Sequence, residues 1–217
     1  MTDFHRARSP EQKQQRMEEI MAVTDALFRA HSYHEVTLTT IAEALGWSRG
    51  NLYKYVTTKE EIFLELYQVR QAEFIAALYD ALGEAVPCAN EAFADAWSDV
   101  LSQHQDYLRY HGILNAIIET NVTVNRLAEF KKLSFANRGR AYAILAAQCP
   151  NLSDKQVRQL FLTLLYHGCG LYSHTHFAPL LEQAMALAGL PLAHDEFAPL
   201  FREFLLMCLR DAQRETC

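Results

Sequence analysis

Apolar side chains recur along this chain every three to four residues, and no stretch alternates apolar and polar residues over the length of a strand. That period places the apolar residues on one face of an α-helix. Glycine and proline lie between the periodic segments, where helices end. The pattern predicts an all-α protein with helices over about 10–31, 37–45, 48–56, 58–82, 90–110, 124–148, 153–176 and 195–213, a short apolar piece over 113–120 and a short segment between Pro179 and Pro191.

Several predicted helices begin at residues that are typical helix caps. Ser9 precedes a proline at the start of the first helix. The segments 57–60 and 153–156 each have a Ser or Thr followed three residues later by Glu or Gln, which predicts two capping boxes. The His-Gly pair at 111–112 is predicted to end the helix that begins at Asn90.

The composition is that of an ordinary globular protein. Of 217 residues, 50% are hydrophobic and 21% are charged, which excludes a disordered or low-complexity chain. The most apolar stretch, 160–172, is interrupted by polar residues and is shorter than the ~20 residues of a membrane span. Because the first residues also lack an apolar signal core, we expect a cytoplasmic protein without a membrane partner.

Cysteine and histidine occur without the spacings of disulfide or metal motifs. The five cysteines form no C-x-x-C pair, so we expect reduced, buried thiols. None of the nine histidines has the spacing of a zinc protease or a zinc finger. A nucleophile elbow and a P-loop are absent from the sequence as well. The sequence therefore predicts no metal, no cofactor and no enzymatic activity.

Charge is distributed unevenly along the chain. The formal net charge is −6, yet residues 1–60 contain eight Lys and Arg and eight Asp and Glu. Within 46–59 lie Arg49, Lys54 and Lys59 and no acidic residue. An acidic protein with a local cationic segment can bind a polyanion there.

One segment, 37–63, has the spacing of a helix-turn-helix. Two short predicted helices flank Gly46, which can adopt the positive φ that a tight turn needs. Ile41 and Leu52 would anchor the inner faces of the two helices. The polar side chains of 49–55 are then left outside, and a helix of this kind fits the major groove of B-form DNA.

The same segment, TLTTIAEALGWSRGNLYKYVTTKEEIF, resembles the DNA-binding signature of the TetR/AcrR family of one-component regulators. Its capping Thr, Gly turn, Leu-Tyr pair and Lys-Glu pair have the offsets of that signature. Trp47 and Val56 depart from it, since a small aliphatic residue and a Phe are common there, and we expect the local packing to compensate. The resemblance implies a helix-turn-helix DNA-binding domain over 10–70, joined through a long helix to a helical effector-binding and dimerisation domain over 71–217.

The resemblance also implies a sequence-specific transcriptional regulator, a repressor that binds a palindromic operator in double-stranded DNA as a homodimer. Arg49 and Asn51 would face base edges, where Arg suits guanine and Asn suits adenine. Lys59 would neutralise a phosphate at the start of the long helix. The implied DNA-binding residues are Thr37, Thr39, Thr40, Ser48, Arg49, Gly50, Asn51, Tyr53, Lys54, Tyr55 and Lys59.

Two predicted helices, 154–176 and 195–213, are apolar on more than one face and need cover on both sides. Two such helices from each of two copies would form a four-helix interface, in which glycine would allow close approach. A larger core within one monomer is the alternative. The predicted dimerisation residues are Phe161, Leu164, Gly168, Leu171, Phe201, Phe204, Leu205 and Cys208.

Polar residues on apolar helix faces indicate where a small-molecule effector could bind. Ser134 and Arg138 lie on the apolar stripe of 124–148, and His104 lies on that of 90–110. Such groups either find partners in the core or contact a ligand, and both possibilities stay open. The predicted effector-binding residues are Trp97, His104, Tyr107, Ser134, Arg138, Tyr142 and Tyr166.

A helical protein-binding or metal-responsive module without enzymatic activity is the alternative function. The histidines are the only support for metal binding. Apolar surface that stays exposed in the free dimer would indicate a protein partner.

Overall fold

The computed structural model describes residues 9–83, 87–192 and 194–214. Over these residues the chain is helical and contains no β-strand, which confirms the all-α prediction. The described helices are α1 (Pro10–Ala30), α2 (Leu38–Ala44), α3 (Arg49–Leu52), α4 (Lys59–Leu82), α5 (Asn90–Gln103), α6 (Gln105–Ile113), a π-helical turn (Leu114–Ile118), a 3₁₀ turn (Glu119–Asn121), α7 (Val124–Gln148), α8 (Asp154–Thr175), α9 (Pro179–Ala188) and α10 (Phe197–Arg214).

The chain divides into two compact units. Counting described residues only, unit 1 consists of 9–68 and Leu114–Phe130, and unit 2 consists of Val69–Ile113 and 131–214. Helices α4 and α7 therefore each begin in unit 1 and end in unit 2. The sequence analysis expected one boundary, at residue 70. In the structure unit 1 also includes the later segment Leu114–Phe130.

Aromatic residues hold unit 1 together. The ring centroid of Phe63 lies 5.0 Å from that of Phe28 and 5.1 Å from that of Tyr33, both with the edge-to-face geometry that aromatic pairs favour. Farther along α4, the ring of Tyr67 packs 5.5 Å from that of Phe130 on α7. These contacts join α1, α4 and the first turns of α7 into one core, and α2 packs on α1.

Helix α10 lies at the centre of unit 2. It packs against α5 and α8, and α8 also packs against α6. Phe201 of α10 is fully buried there. A Cβ added at Gly168 of α8 would lie 3.3 Å from the side chain of Leu108 and 3.4 Å from that of Phe201. An ion pair between Arg202 and Asp95 further joins α10 to α5.

The helix predicted over 90–110 is interrupted, so that prediction was wrong. His104 leaves the helical conformation, with φ of −116° and ψ of 33°, and separates α5 from α6. The pair 111–112 instead lies inside α6, which runs to Ile113. The turn that follows is π-helical, and its Leu114 and Ile118 are buried.

Two of the three predicted helix caps form as expected. Ser9 caps α1, and Ser153 forms the predicted capping box at the start of α8. At α4 the carboxylate that reaches back belongs to Glu61 rather than Glu60, and it accepts a hydrogen bond from the backbone N–H of Thr57 at 2.8 Å. The predicted contact of residue 57 with Glu60 is therefore replaced by one with Glu61.

The described cysteines are free thiols, but only one of them is buried. Cys149 is buried, whereas Cys88, Cys169 and Cys208 are partly exposed. The expectation of burial was wrong for these three because each lies at a helix surface or an adjoining turn. Cys217 lies outside the described residues.

Helix α9 is exposed along its whole length. None of its residues is buried, and Leu180 and Leu187 are largely open to solvent. Gly189 ends the helix with a φ of 65°. Among the described helices, none is both long enough and apolar enough to cross a membrane.

Candidate nucleic-acid interface

Helices α2 and α3 form a helix-turn-helix within unit 1. The hydroxyl of Thr37 accepts the backbone N–H of Thr40 at 3.1 Å, and the hydroxyl of Thr40 accepts the backbone N–H of Thr37 at 2.9 Å. Gly46 follows α2 with a φ of 67°, a backbone conformation that side chains disfavour. The N–H of Trp47 then donates to the carbonyl of Ala42 at 2.8 Å and closes the turn.

Helix α3 is a single helical turn, shorter than the predicted helix over 48–56. It spans Arg49–Leu52, and 53–55 continue as turns. The hydroxyl of Ser48 accepts the backbone N–H of Asn51 at 3.3 Å and so caps the helix.

Burial on one side determines which side of α3 faces solvent. Leu52 and Val56 are buried in unit 1. Arg49 and Lys54 are consequently exposed, and Asn51 is half-exposed. The predicted base-contacting side chains therefore share the solvent side of the motif.

These outward side chains form two hydrogen-bonded pairs. Nη2 of Arg49 donates to the hydroxyl oxygen of Tyr53 at 3.3 Å, and the guanidinium lies 5.9 Å from the centre of that ring. Nζ of Lys54 donates to Oδ1 of Asn51 at 2.8 Å. Each hydrogen bond restricts the rotation of two side chains on the exposed side of the motif.

Trp47, which departs from the family pattern, connects the turn to its surroundings. Its ring lies 5.7 Å from that of Tyr55, and the guanidinium of Arg16 on α1 lies 5.5 Å from its centre. Tyr55, a predicted phosphate contact, is thereby held against the turn. The sequence analysis did not single out Arg16, because a lone Arg on α1 has no sequence signal that links it to residue 47.

Lys59 has a structural role that the sequence did not predict. Its ammonium donates to the carbonyl oxygens of Tyr33 and Val36, both at 2.7 Å, and lies 3.7 Å from the centre of the Tyr33 ring. Partial burial lowers the pKa of the ammonium. The phosphate contact of Lys59 stays a prediction.

The remaining predicted DNA contacts lie around the same motif. Thr37 is exposed, and Thr39 and Thr40 are half-exposed on the first turn of α2. Tyr53 is 49% exposed. A Cβ added at Gly50 would meet no atom of this chain within 4 Å, so its small size leaves room for an external molecule.

Unit 2 contains a small apolar cavity. Its volume of about 10 Å³ is that of a single water molecule. Two predicted effector-binding residues, Trp97 and Tyr107, line it with Phe74, whose ring stacks 5.2 Å from that of Tyr107. A third, His104, lies 6.5 Å from the same Phe74 ring. The structure therefore brings these three residues together around a ring that the sequence analysis missed.

The other predicted effector residues are spread more widely. Tyr142 packs edge-on against Phe161. Arg138 is half-exposed and lies over the ring of Phe135. Tyr166 is 57% exposed. Of these four predicted residues, Ser134 alone is fully buried.

Among the described residues, two polar side chains of unit 2 that are completely buried have no hydrogen-bond partner, and Ser98, which is 2% exposed, has none either. The two completely buried residues are Ser134 on α7 and Gln71 on α4, both 0% exposed. Each lies one helical turn beyond Tyr67 and Phe130, the rings that join these two helices in unit 1. The sequence analysis did not select Gln71 as an effector-binding residue. A polar residue on the apolar stripe of α4 is nevertheless the same kind of signal that selected Ser134 on α7.

His111 is a buried titratable group of unit 2. Burial is the main cause that lowers its pKa to about 4, and the positive charges of Arg138 and Lys131 act in the same direction. The imidazole is consequently neutral at neutral pH.

Most of the predicted dimerisation residues are buried within unit 2. They are Phe161, Leu164, Gly168, Leu171, Phe201 and Leu205. Phe204 and Cys208 are partly exposed on α10 instead, and Leu160 of α8 is half-exposed as well. The apolar faces of α8 and α10 thus serve the core on one side and leave a narrower apolar strip on the other.

No cluster of three or more metal-binding side chains occurs in the part of the chain that the structure describes.

Two comparisons with known families cover nearly the whole chain. Residues 20–66 match the family described as bacterial regulatory proteins, tetR family. Residues 68–214 match the family described as tetracyclin repressor-like, C-terminal domain. The chain has no match among curated protein sequences.

Solved structures with this fold are regulators of low sequence identity. A transcriptional regulator of the TetR/AcrR family from Thermobifida fusca is 19% identical, with a TM-score of 0.57 over 88% of this chain and 97% of its own. The TetR family regulator PfmR from Thermus thermophilus is 18% identical, with a TM-score of 0.54 over the same shares. The fatty acid degradation regulator FadR from Bacillus halodurans is 15% identical, with a TM-score of 0.53 over 94% of this chain and 97% of its own.

Proposed function

This chain belongs to the TetR family of bacterial transcriptional regulators, and we propose from that premise that it is a repressor that binds a palindromic operator as a homodimer under the control of a small-molecule effector. Members of this family are DNA-binding regulators and not enzymes. The proposal therefore concerns the operator, the dimer and the effector.

The observation that best supports operator binding is the outward side of α3. Arg49 and Lys54 are exposed and Asn51 is half-exposed, whereas Leu52 and Val56 are buried in unit 1. Residues 46–59 include three cationic residues and no acidic one, so the electrostatic potential of this segment favours phosphate binding. Side chains at the start of a recognition helix reach base edges in the major groove.

Dimerisation is supported by the partly exposed strip of α8 and α10. Leu160, Phe204 and Cys208 are half-buried within the single chain, and Met207 is largely exposed beside them. Two copies that bury this strip against each other would be related by a two-fold axis, and a two-fold dimer recognises an inverted repeat. The recognition helices would then lie about one DNA turn, ~34–36 Å, apart.

Effector binding is supported by the apolar cavity and the buried polar groups of unit 2. A small-molecule site combines aromatic walls with a few polar groups, and Trp97, Tyr107 and Phe74 supply such walls. Ser134 and Gln71 are buried without partners among the described residues, and a buried unpaired polar group is costly unless a ligand or water contacts it. The effector would enlarge a cavity that is now closed.

Selection from randomised duplex DNA at near-physiological salt tests operator binding. The wild-type protein should enrich an inverted repeat, and the double variant Arg49→Ala, Asn51→Ala should lose it. Arg140→Ala, which removes an exposed cation on α7, is the matched control and should enrich the same repeat. A folded wild-type dimer that enriches no sequence, alone or with protein-free cell extract, would contradict the proposal.

The selected operator then provides a test for the effector. Protein-free extract should change the operator Kd by about 5- to 150-fold, the usual range of allosteric coupling. The response should disappear in Ser134→Leu, which fills part of the polar site with an apolar side chain. An operator Kd that no small-molecule fraction changes would contradict effector control while leaving operator binding intact.

A further inference from the structure

We propose that the segment 49–54 recognises guanine through two side-chain pairs, Arg49–Tyr53 and Asn51–Lys54, in each of which a cation donates to the partner's oxygen, so that donors outnumber acceptors. The inference rests on the proposed function, in which α3 contacts bases in the major groove, and adds the identity of the base. It differs from the expectation for Asn51 alone, since an isolated asparagine suits adenine.

The Lys54 contact determines what Asn51 can offer a base. Nζ of Lys54 donates to Oδ1 of Asn51 at 2.8 Å. Bidentate recognition of adenine needs that oxygen to accept from the N6 amino group while the amide nitrogen donates to N7. An ammonium bound to Oδ1 repels the positive edge of an amino group, so the pair disfavours adenine. The amide N–H groups of Asn51 stay available as donors.

The second pair has the same character. The guanidinium of Arg49 has no acceptor, and its Nη2 donates to the hydroxyl oxygen of Tyr53 at 3.3 Å. Because that oxygen accepts from Arg49, the hydroxyl group offers its proton to a base or a phosphate. The pair thus presents donors as well.

The two acidic residues that follow this segment in the sequence have other partners. Residues 44–59 contain no Asp or Glu. Of the two acids that follow, Glu60 accepts the hydroxyl of Tyr33, and Glu61 accepts the backbone N–H of Thr57. The hydroxyl of Ser48 accepts from the backbone of α3 itself.

Guanine is the base that matches a surface of donors. In the major groove guanine presents two acceptors, N7 and O6, whereas adenine and cytosine each present an amino group that needs an acceptor. Thymine presents one acceptor beside a methyl group. We therefore expect two guanines in each half-site, one at each pair.

The test compares base preferences at a single mapped position. Selection with Asn51→Ala identifies the base pair whose preference depends on Asn51. At that position the wild-type protein should prefer guanine, and 7-deazaguanine, which lacks the N7 acceptor, should weaken wild-type binding about tenfold. Lys54→Met removes the ammonium and should move the preference at this position from guanine to adenine by about tenfold.

Lys132→Met is the matched control, because Lys132 is an exposed cation on α7 outside the motif. It should keep the wild-type preference. Circular dichroism verifies that Lys54→Met folds, and Lys54→Gln replaces it if it does not. Adenine at the mapped position in the wild-type selection, or an unchanged guanine preference in the Lys54 variant, would overturn the inference.

Failure of the proposed function would give a different experimental result from failure of the guanine inference. A folded dimer that enriches no sequence would overturn operator recognition, and the guanine inference with it. Enrichment of an inverted repeat with adenine at the mapped position would overturn the guanine inference alone.

Discussion

The ammonium of Lys59, at the first turn of α4, lies 2.7 Å from the carbonyl oxygen of Val36, in the loop that leads into α2. The same ammonium donates to the carbonyl of Tyr33 at the same distance. Two carbonyls that would otherwise need other donors are satisfied by one cation. Lys59 thereby sets the position of the helix-turn-helix relative to α4 within unit 1.

Lys59→Met should destabilise the free protein. The substitution leaves the two carbonyls without this donor, and hydrogen bonds to a charged group contribute ~1.5–3 kcal/mol each, less where solvent can replace them. We expect the free energy of unfolding to fall by about 2 kcal/mol in urea titrations. Lys13→Met, an exposed cation on α1, should change it little. Wild-type stability of Lys59→Met combined with weaker binding to every DNA sequence would assign Lys59 to phosphate contact instead.

His111 should make the protein less stable at mildly acidic pH. Its pKa is lowered to about 4, from an ordinary value near 6.5. Between these values the unfolded chain binds a proton that the folded chain does not, so stability is complete above pH 6.5 and decreases as the pH falls. The resulting decrease in the free energy of unfolding reaches ~3 kcal/mol at about pH 4.

Denaturant titrations across this pH range measure the effect. His111→Gln, a neutral side chain of similar polarity, should make the free energy of unfolding less dependent on pH between 6.5 and 4. The exposed His31→Gln should keep the wild-type dependence. Parallel pH curves for wild type and His111→Gln would show that other groups cause any acid instability.

Gly168 and Gly170 form a matched pair on α8. A Cβ at Gly168 would lie 3.3 Å from Leu108 and 3.4 Å from Phe201, whereas a Cβ at Gly170 would meet nothing within 4 Å. Gly168→Val should therefore lower the free energy of unfolding by ~1–3 kcal/mol through overpacking. Gly170→Ala should raise it by up to ~1 kcal/mol through helix propensity. Equal effects of the two changes in thermal unfolding would contradict a packing role for Gly168.

Gln148 ties the start of α5 to the end of α7. Its Oε1 accepts the backbone N–H of Cys88 at 3.0 Å, and its Nε2 donates to the carbonyl of Cys88 at 2.8 Å and to Oδ1 of Asn90 at 3.1 Å. Gln148→Leu removes these partners of the Cys88 backbone N–H and carbonyl, whereas Asn90 keeps its hydrogen bond from Gln213, and should lower the free energy of unfolding by about 2 kcal/mol. The exposed Gln103→Leu is the control in the same denaturant assay. Identical stabilities of both variants would show that water replaces the lost contacts.

Local sequence signals were enough for most of the helices. The caps at Ser9, Thr37 and Ser153 act between residues three apart, so the chain contains all the information they need. The break at His104 was missed because it falls on an unbroken apolar stripe with no glycine or proline. The outward placement of Arg49 and Lys54 followed from the spacing of Leu52 and Val56, which the structure buries.

The sequence by itself determined the helical class, the helix-turn-helix and the family, because each is indicated by residue patterns within a short stretch of chain. Only the tertiary structure decided that Lys59 holds the loop at Tyr33 and Val36, and that Gly168 packs against Leu108 and Phe201. These residues are brought together across more than twenty positions of chain. No local periodicity encodes such pairings, since they arise only when whole helices pack and bury their faces together.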